Sequence, residues 1–159
     1  MKVEEVMTRG VRICRDEQSL ADAAQAMWEN DCGCVPVASS DGSNRVVGMI
    51  TDRDICMATH FHGASPRDIR IGDVMSVEVR HIGPSESLAD AEAIMRDAQV
   101  RRLPVVDGDQ QLLGLVSLAD LAQRANGRSK KAGITQRQVS ETLAAVSAPR
   151  DVEQLAISA

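Results

Sequence analysis

The pentapeptide Ser-Leu-Ala-Asp-Ala occurs twice in this chain, at 19–23 and again at 87–91. The match is not isolated. Val6-Met7 recurs as Val74-Met75 and Pro36-Val37 as Pro104-Val105, at the same displacement of 68 residues. Further on, Gly48 recurs as Gly114 and Asp54 as Asp120, at a displacement of 66. A fixed displacement over many positions marks an internal repeat. The step from 68 to 66 places a two-residue deletion in the intervening turn, SSDGSNR in one copy and DGDQQ in the other. Any fold must therefore house one unit twice, and 159 residues leave room for two small units that share a core.

Each copy reads as a short β/α unit. Val11 to Cys14, and Val77 to Ile82, form an extended stretch. Serine followed three residues later by aspartate is a helix-start signal. Leu20, Ala23, Ala24 and Met27 then fall at i, i+3, i+4 and i+7, and Leu88, Ala91 and Met95 repeat the pattern with Ile94 beside them. That period is helical, and its apolar stripe faces a core. Burial of each Leu or Met contributes on the order of 1.5–3 kcal/mol. Val35-Pro36-Val37 and Leu103-Pro104-Val105-Val106 read as strands, the proline indicating an edge or a strand start. Val46 to Ile50 and Leu112 to Val116 read as buried strands, and helices follow from about Asp52 and Leu118. The predicted fold is α/β (α+β): two pseudo-symmetric β-α-β-β-α repeats packed sheet to sheet, plus a C-terminal helix. The expected divisions are 1–62 for the first repeat, 63–72 for a connector, 73–123 for the second repeat and 124–159 for a polar linker and final helix.

Composition narrows the function classes. A formal charge of −5 with one Trp, one Phe and no Tyr supplies neither the basic field of a duplex binder nor the stacking platforms of a single-strand binder. No nucleic-acid partner is expected. No apolar run approaches the roughly 18 residues of a membrane helix, and MKVEEVMTRG has no signal-peptide pattern. The expectation is a cytoplasmic protein with no membrane partner, in which Cys14, Cys32, Cys34 and Cys56 remain thiols.

Val-Met, SLADA, a hydrophobic-Pro-Val step and Gly-x-x-Thr/Ser-x-x-Asp, twice and in this order, resemble a tandem pair of CBS domains, the regulatory repeat named after cystathionine β-synthase. GMITDRDI and VRRLPVVD carry most of the likeness, which runs from Val6 to about Ala122. It resembles a free-standing pair. The resemblance implies a non-catalytic sensor that binds an adenosine nucleotide or related ligand in clefts between the repeats, often as a flat homodimer, with an effector protein as a further partner. No cofactor is implied beyond that regulatory ligand.

On this reading Thr51 and Asp54, with Ser117 and Asp120 at the same places in the second copy, meet the ribose. A carboxylate accepts hydrogen bonds from two adjacent hydroxyls, strengthened by charge, and a helix N-terminus favours phosphate. Arg53 offers a planar cationic fork. Leu118 and Ala119 replace Asp52 and Arg53 in the second copy, which instead has Arg101 and Arg102 before its Leu-Pro-Val step. The competing reading is structural: Thr51 with Asp54 is also a helix cap, and caps need no ligand. The arginines equally suit a solvated edge strand. Ile13 and His81 stand where the family often has a hydroxyl residue, so the two clefts are unequal, and His81 brings a group that titrates near neutrality. An adenine ring would lie between aliphatic walls: Val11, Val35 and Val37 in one copy, Val79, Leu103 and Val105 in the other.

A second function class uses the same scaffold as a thiol- or zinc-dependent switch. Cys32-Gly33-Cys34 on an extended segment puts both sulfurs on one face, and His60 and His62 form another alternating pair. Enzyme activity has little support. Asp22 and Asp90 are explained as first-turn helix carboxylates, and a hydrolase built on Asp54 finds only Asp52 near it. In the tail, Arg124 to Gly133 reads as a flexible linker. Thr135 to Gln138 is a capping box, with Ile134 and Val139 as its staple. Val139, Leu143 and Val146 form an amphipathic stripe on a helix too short to stand alone, expected to dock on its own repeats or on a partner chain.

Overall fold

A computed structural model of the chain describes residues 1–127 and 133–149. Its elements are β1 (Cys14–Arg15), α1 (Leu20–Glu29), β2 (Cys34–Ala38), β3 (Val46–Thr51), α2 (Asp52–His62), α3 (Leu88–Ala98), β4 (Arg102–Val106), β5 (Leu112–Ser117), α4 (Leu118–Asn126) and α5 (Gln136–Val146). Short 3-10 turns at Val3–Glu5 and Ile71–Asp73 precede each repeat. The class is mixed α/β, as the repeat predicts. Two compact units emerge. One holds Thr8–Pro84 and Pro104–Leu115; the other holds Met1–Met7, Ser85–Leu103 and the described residues from Val116 on.

The helix starts are local in origin. In α1 the Asp22 N–H donates to Ser19 Oγ at 3.2 Å while the Ser19 N–H donates to Asp22 Oδ2 at 2.9 Å. The pair Ser87 and Asp90 repeats this at 3.2 and 3.0 Å on α3. Two of the orphan donors of a helix start are thereby satisfied by four residues of sequence. The Ser19 hydroxyl and N–H hold the Asp22 carboxyl below its ordinary pKa, and Ser87 does the same for Asp90. Ser19→Ala should lower stability by about 0.5–2 kcal/mol in a denaturant titration. A carboxyl whose folded pKa is depressed stabilises above its unfolded value and loses that contribution as pH falls through the folded value. The gap between wild type and Ser19→Ala should therefore narrow on acidification below about pH 4, the ordinary Asp value, while the part owed to the Asp22 N–H bond to Ser19 Oγ persists.

The three-stranded sheet runs β1-β2-β3, with β1 parallel and β3 antiparallel to β2. The proline strand is therefore central, where an edge or a strand start was expected. The reason is the length of β1: it pairs only with Val37 and Ala38, so no neighbour on that side calls on the missing donor of Pro36. The second copy shortens the pattern further. Ile82 makes one parallel bridge, to Val105, in place of a strand over Val77 to Ile82, and β4 pairs with β5. Arg15 braces the longer first turn, its guanidinium donating to the Ser39 carbonyl at 2.6 Å, to the Ser43 carbonyl and to Asn44 Oδ1. Gly83 stands at the equivalent position, beside the turn that is two residues shorter.

Each repeat's first helix is seated by the chain segment ahead of the other repeat. Leu20 N–H donates to the Ile69 carbonyl at 2.9 Å and Ile71 N–H to the Gln18 carbonyl at 2.8 Å. In the other unit Leu88 N–H donates to the Met1 carbonyl at 3.2 Å and Val3 N–H to the Glu86 carbonyl at 2.9 Å. The strand edges follow suit: Met49 and Ser76 exchange two backbone bonds, and so do Thr8 and Leu115. Ile69 and Ile71, expected in a connector, thus lie in the hydrophobic core formed by Leu20, Ala23, Met27, Val35, Val37 and Ile50. That core is aliphatic; Trp28 and Phe61 are exposed.

The final helix docks on its own chain, against α3 and α4. Its buried side matches the predicted stripe only in part. Thr142 and Val146 are buried, with Ile134 ahead of the helix, whereas Leu143 is 51% exposed. A polar side chain takes the centre of the contact because its counterpart on α3 is the carboxylate of Glu92. The linker expected over 124–133 is in part helix: Arg124 to Asn126 close α4, and 128–132 lie outside the described residues.

Candidate functional site

The two Thr/Ser-x-x-Asp motifs sit at matching strand-to-helix junctions. Thr51 ends β3 and caps α2; Ser117 ends β5 and caps α4. At the first junction Thr51 N–H and Oγ1–H both donate to Asp54 Oδ2, at 2.9 and 2.7 Å, and Asp54 N–H donates back to Thr51 Oγ1 at 3.2 Å. At the second, Ser117 and Asp120 make the same three bonds at 2.7, 2.6 and 3.2 Å. The capping role is therefore real at both places. It occupies one carboxylate oxygen only. Oδ1 of Asp54 and of Asp120 has no hydrogen-bond partner among the described residues, and both aspartates are half-buried, unlike the exposed Asp22 and Asp90. An acceptor with one oxygen spent on the fold and the other without a partner suits a hydroxyl donor from outside.

The flanking residues are held by the backbone. Asp52 N–H donates to the Gly33 carbonyl at 3.2 Å, and Leu118 N–H to the Arg101 carbonyl at 2.9 Å. These are the same bond in the two copies, and they fix Gly33 beside the start of α2 and Arg101 beside the start of α4. A Cβ at Gly33 would come 3.0 Å from Asp52 Oδ2, a contact that a small turn of the exposed Asp52 side chain would relieve. Arg53 is exposed on the first turn of α2, its N–H bonded to Asp52 Oδ1 at 2.7 Å. Arg101 is exposed and Arg102, the first residue of β4, is half-buried. His81 is exposed, with Nε2 lying 3.4 Å from Gln110 Nε2.

The expected aliphatic walls are used elsewhere. Val35 and Val37 are 1% and 0% exposed and belong to the core that packs α1. Leu103 and Val105 are likewise wholly buried. Val11 and Val79 remain half-buried. Strand β2 is covered on both faces, so alternation along it does not free a side for a ring. The sequence also gave no sign that Ser76, at the head of the segment carrying His81, pairs with Met49, two residues before Thr51. A bridge between residues 27 apart leaves no local pattern.

The thiol motif does not assemble as expected. Cys32 lies in the turn after α1, its N–H bonded to the Met27 carbonyl at 3.0 Å, and β2 begins only at Cys34. His60 and His62 are on α2, where side chains two apart point to different sides of the helix. Among the described residues no three His, Cys, Asp or Glu side chains group so as to hold a metal ion. None of the four cysteines is in a disulfide; Cys14 and Cys34 are buried and Cys56 is exposed. Burial pushes the Cys14 thiol up in pKa, against the nearby Arg12. Under a thiol reagent at neutral pH, Cys56 should be labelled first and Cys14 last, as read by peptide mass spectrometry.

A family model for the CBS domain matches the chain twice, over residues 3–60 and 71–127. The chain belongs to the CBS-domain family. Among relatives of this CBS pair is the CBS domain-containing protein YhcV of Bacillus subtilis, 37% identical over 120 residues, covering 76% of this chain and 82% of the relative. Hypoxic response protein 1 of Mycobacterium tuberculosis is 32% identical over 119 residues, covering 75% and 81%. A crystal structure of Hypoxic Response Protein I with two coordinated zinc ions superposes with a TM-score of 0.70 at 31% identity, covering 77% of this chain and 98% of that one. The CBS pair of protein MJ0100, in complex with 5′-methylthioadenosine and S-adenosyl-L-methionine, shares the fold with a TM-score of 0.72 at 20% identity, covering 81% and 98%. CBS pairs are as a class regulatory, non-catalytic modules. No helix among the described residues is long and apolar enough to cross a membrane.

Proposed function

We propose that this CBS pair is a sensor of an adenosine-containing ligand, held at the starts of α2 and α4. Asp54 and Asp120 take the ribose hydroxyls through Oδ1. The helix N-termini with Arg53 in the first copy, and Arg101 and Arg102 in the second, meet the phosphates. The observation that carries the reading is the half-buried aspartate at both junctions, with Oδ2 committed to the cap and Oδ1 unpartnered among the described residues. The adenosine compounds bound by protein MJ0100 support the ligand class. Binding shifts the population between two conformations, and an effector protein reads the shift. The functional unit is a homodimer in the cytoplasm. The first and second sites differ in strength, because only the first has a cation in the first turn of its helix, Arg53 on α2 against Ala119 on α4.

Calorimetric titration of AMP against 2′-deoxy-AMP tests the reading. Loss of one hydroxyl leaves a buried acceptor without its donor, so the deoxy compound should bind more weakly by about 1–3 kcal/mol. Equal affinity for the two removes the ribose role of the aspartates. Zinc is the competing reading, prompted by the two zinc ions of Hypoxic Response Protein I. The dispersed thiols and imidazoles of this chain favour the nucleotide. A chelator should leave the melting temperature unchanged, while AMP at 100 times its Kd should add about 2.7 kcal/mol.

A further inference from the structure

The second repeat holds α5 by a device that the first repeat lacks. Glu92 of α3 is 2% exposed, and its carboxylate accepts a hydrogen bond from the hydroxyl of Thr142, which is 0% exposed on α5. One turn on, Arg96 Nη1 stands 3.7 Å from the same carboxylate oxygen. Gln99 Nε2 then donates to the carbonyls of Ala145 and Ala148, at 3.2 and 3.4 Å. Glu92 and Arg96 lie one turn apart on the same face of α3, and Gln99 is the left-handed residue that caps its C-terminal end. The first repeat has Ala24, Trp28 and Asp31 at these positions, all exposed.

The seat is polar at its centre. Ile134 and Val146 are its buried apolar residues on the strap side, and Leu143 is turned out. A buried carboxylate is tolerated only while it is hydrogen-bonded. An eleven-residue helix does not persist by itself in water. Contact and helix therefore stand or fall together. We infer that α5 is a strap that leaves α3 and α4 as one cooperative unit while both repeats stay folded, and that the Glu92–Thr142 bond is its catch. Opening uncovers Glu92, Arg96 and Gln99 while the rest of the fold stays closed.

Hydrogen exchange of the full chain, resolved by peptide, tests this. Thr142→Val and Glu92→Ala should each raise exchange within α5 by about tenfold or more, because each removes one half of the buried bond. Amides of α1 and α2 should exchange as in the wild type. Glu92→Gln, whose amide oxygen still accepts from the Thr142 hydroxyl, should stay near the wild type. Unchanged α5 exchange in both disruptive variants overturns the catch. An equal rise in α1 and α2 overturns the strap, since the loosening is then global. Glu92→Gln opening as far as Glu92→Ala also overturns the catch, assigning the hold to the charge facing Arg96.

Discussion

Ile71→Ala should destabilise the protein by about 2–5 kcal/mol, the range for removing a large aliphatic side chain from a packed interior. Ile71 is 0% exposed and packs in the core with Leu20, Ala23 and Ile50, and its N–H is fixed to the Gln18 carbonyl. By position it lies at the head of the second repeat; by packing it completes the first. Val3→Ala is the matched experiment in the other unit, where Val3 is 0% exposed and bonded to Glu86. One methylene fewer is lost there, so a smaller effect is expected. Arg70→Ala is the control, an exposed neighbour whose loss should stay within about 0.5 kcal/mol. Denaturant midpoints of the three variants decide the matter. An Ile71→Ala midpoint no lower than that of Arg70→Ala would mean that the segment ahead of the second repeat does not seat α1.

Asp54→Ala and Asp120→Ala should each cut AMP affinity at the altered site by about 10- to 150-fold, the equivalent of 1.5–3 kcal/mol for a hydrogen bond to a charged group. Each change also removes a helix cap, so a fall in stability alone decides nothing. The chain supplies its own control. Asp22 caps α1 with the same geometry through Ser19 but is exposed and lies at neither junction. Asp22→Ala should therefore lower the melting temperature about as much as Asp54→Ala while leaving the calorimetric affinity intact. If all three substitutions weaken AMP equally, the effect is a general softening of the fold, and the ribose contact is withdrawn. If Asp54→Ala weakens binding and Asp120→Ala does not, the first site is the occupied one, consistent with its additional Arg53.

The candidate site was legible to the extent that it is local. Thr51-x-x-Asp54 and Ser117-x-x-Asp120 are four-residue patterns, and both the cap and the carboxylate are where the pattern puts them. The division of labour between Oδ2 and Oδ1 was not legible, because it depends on which hydrogen bonds form. The aliphatic walls failed for a related reason. Val35 and Val37 look like the open face of an edge strand in sequence, but β2 is buried on both faces between its neighbours and α1. In the tail, helical periodicity selected Val139, Leu143 and Val146; the contact surface selected Thr142 and Val146, because Glu92 on α3 offers a buried acceptor that an apolar stripe would leave unsatisfied.

What the sequence determined by itself was the count of units, the order of their elements apart from the first strand of the second copy, and the residue at which each helix begins. These rest on identity at a fixed displacement and on bonds between residues three apart, and both can be read without coordinates. The tertiary structure decided which segment seats which helix. Met1 and Val3 serve α3, Ile69 and Ile71 serve α1, and Thr142 serves Glu92. Those partners lie 49 to 87 residues apart in sequence, and complementary shape and unmet hydrogen-bond demand choose among such partners only once the chain has folded.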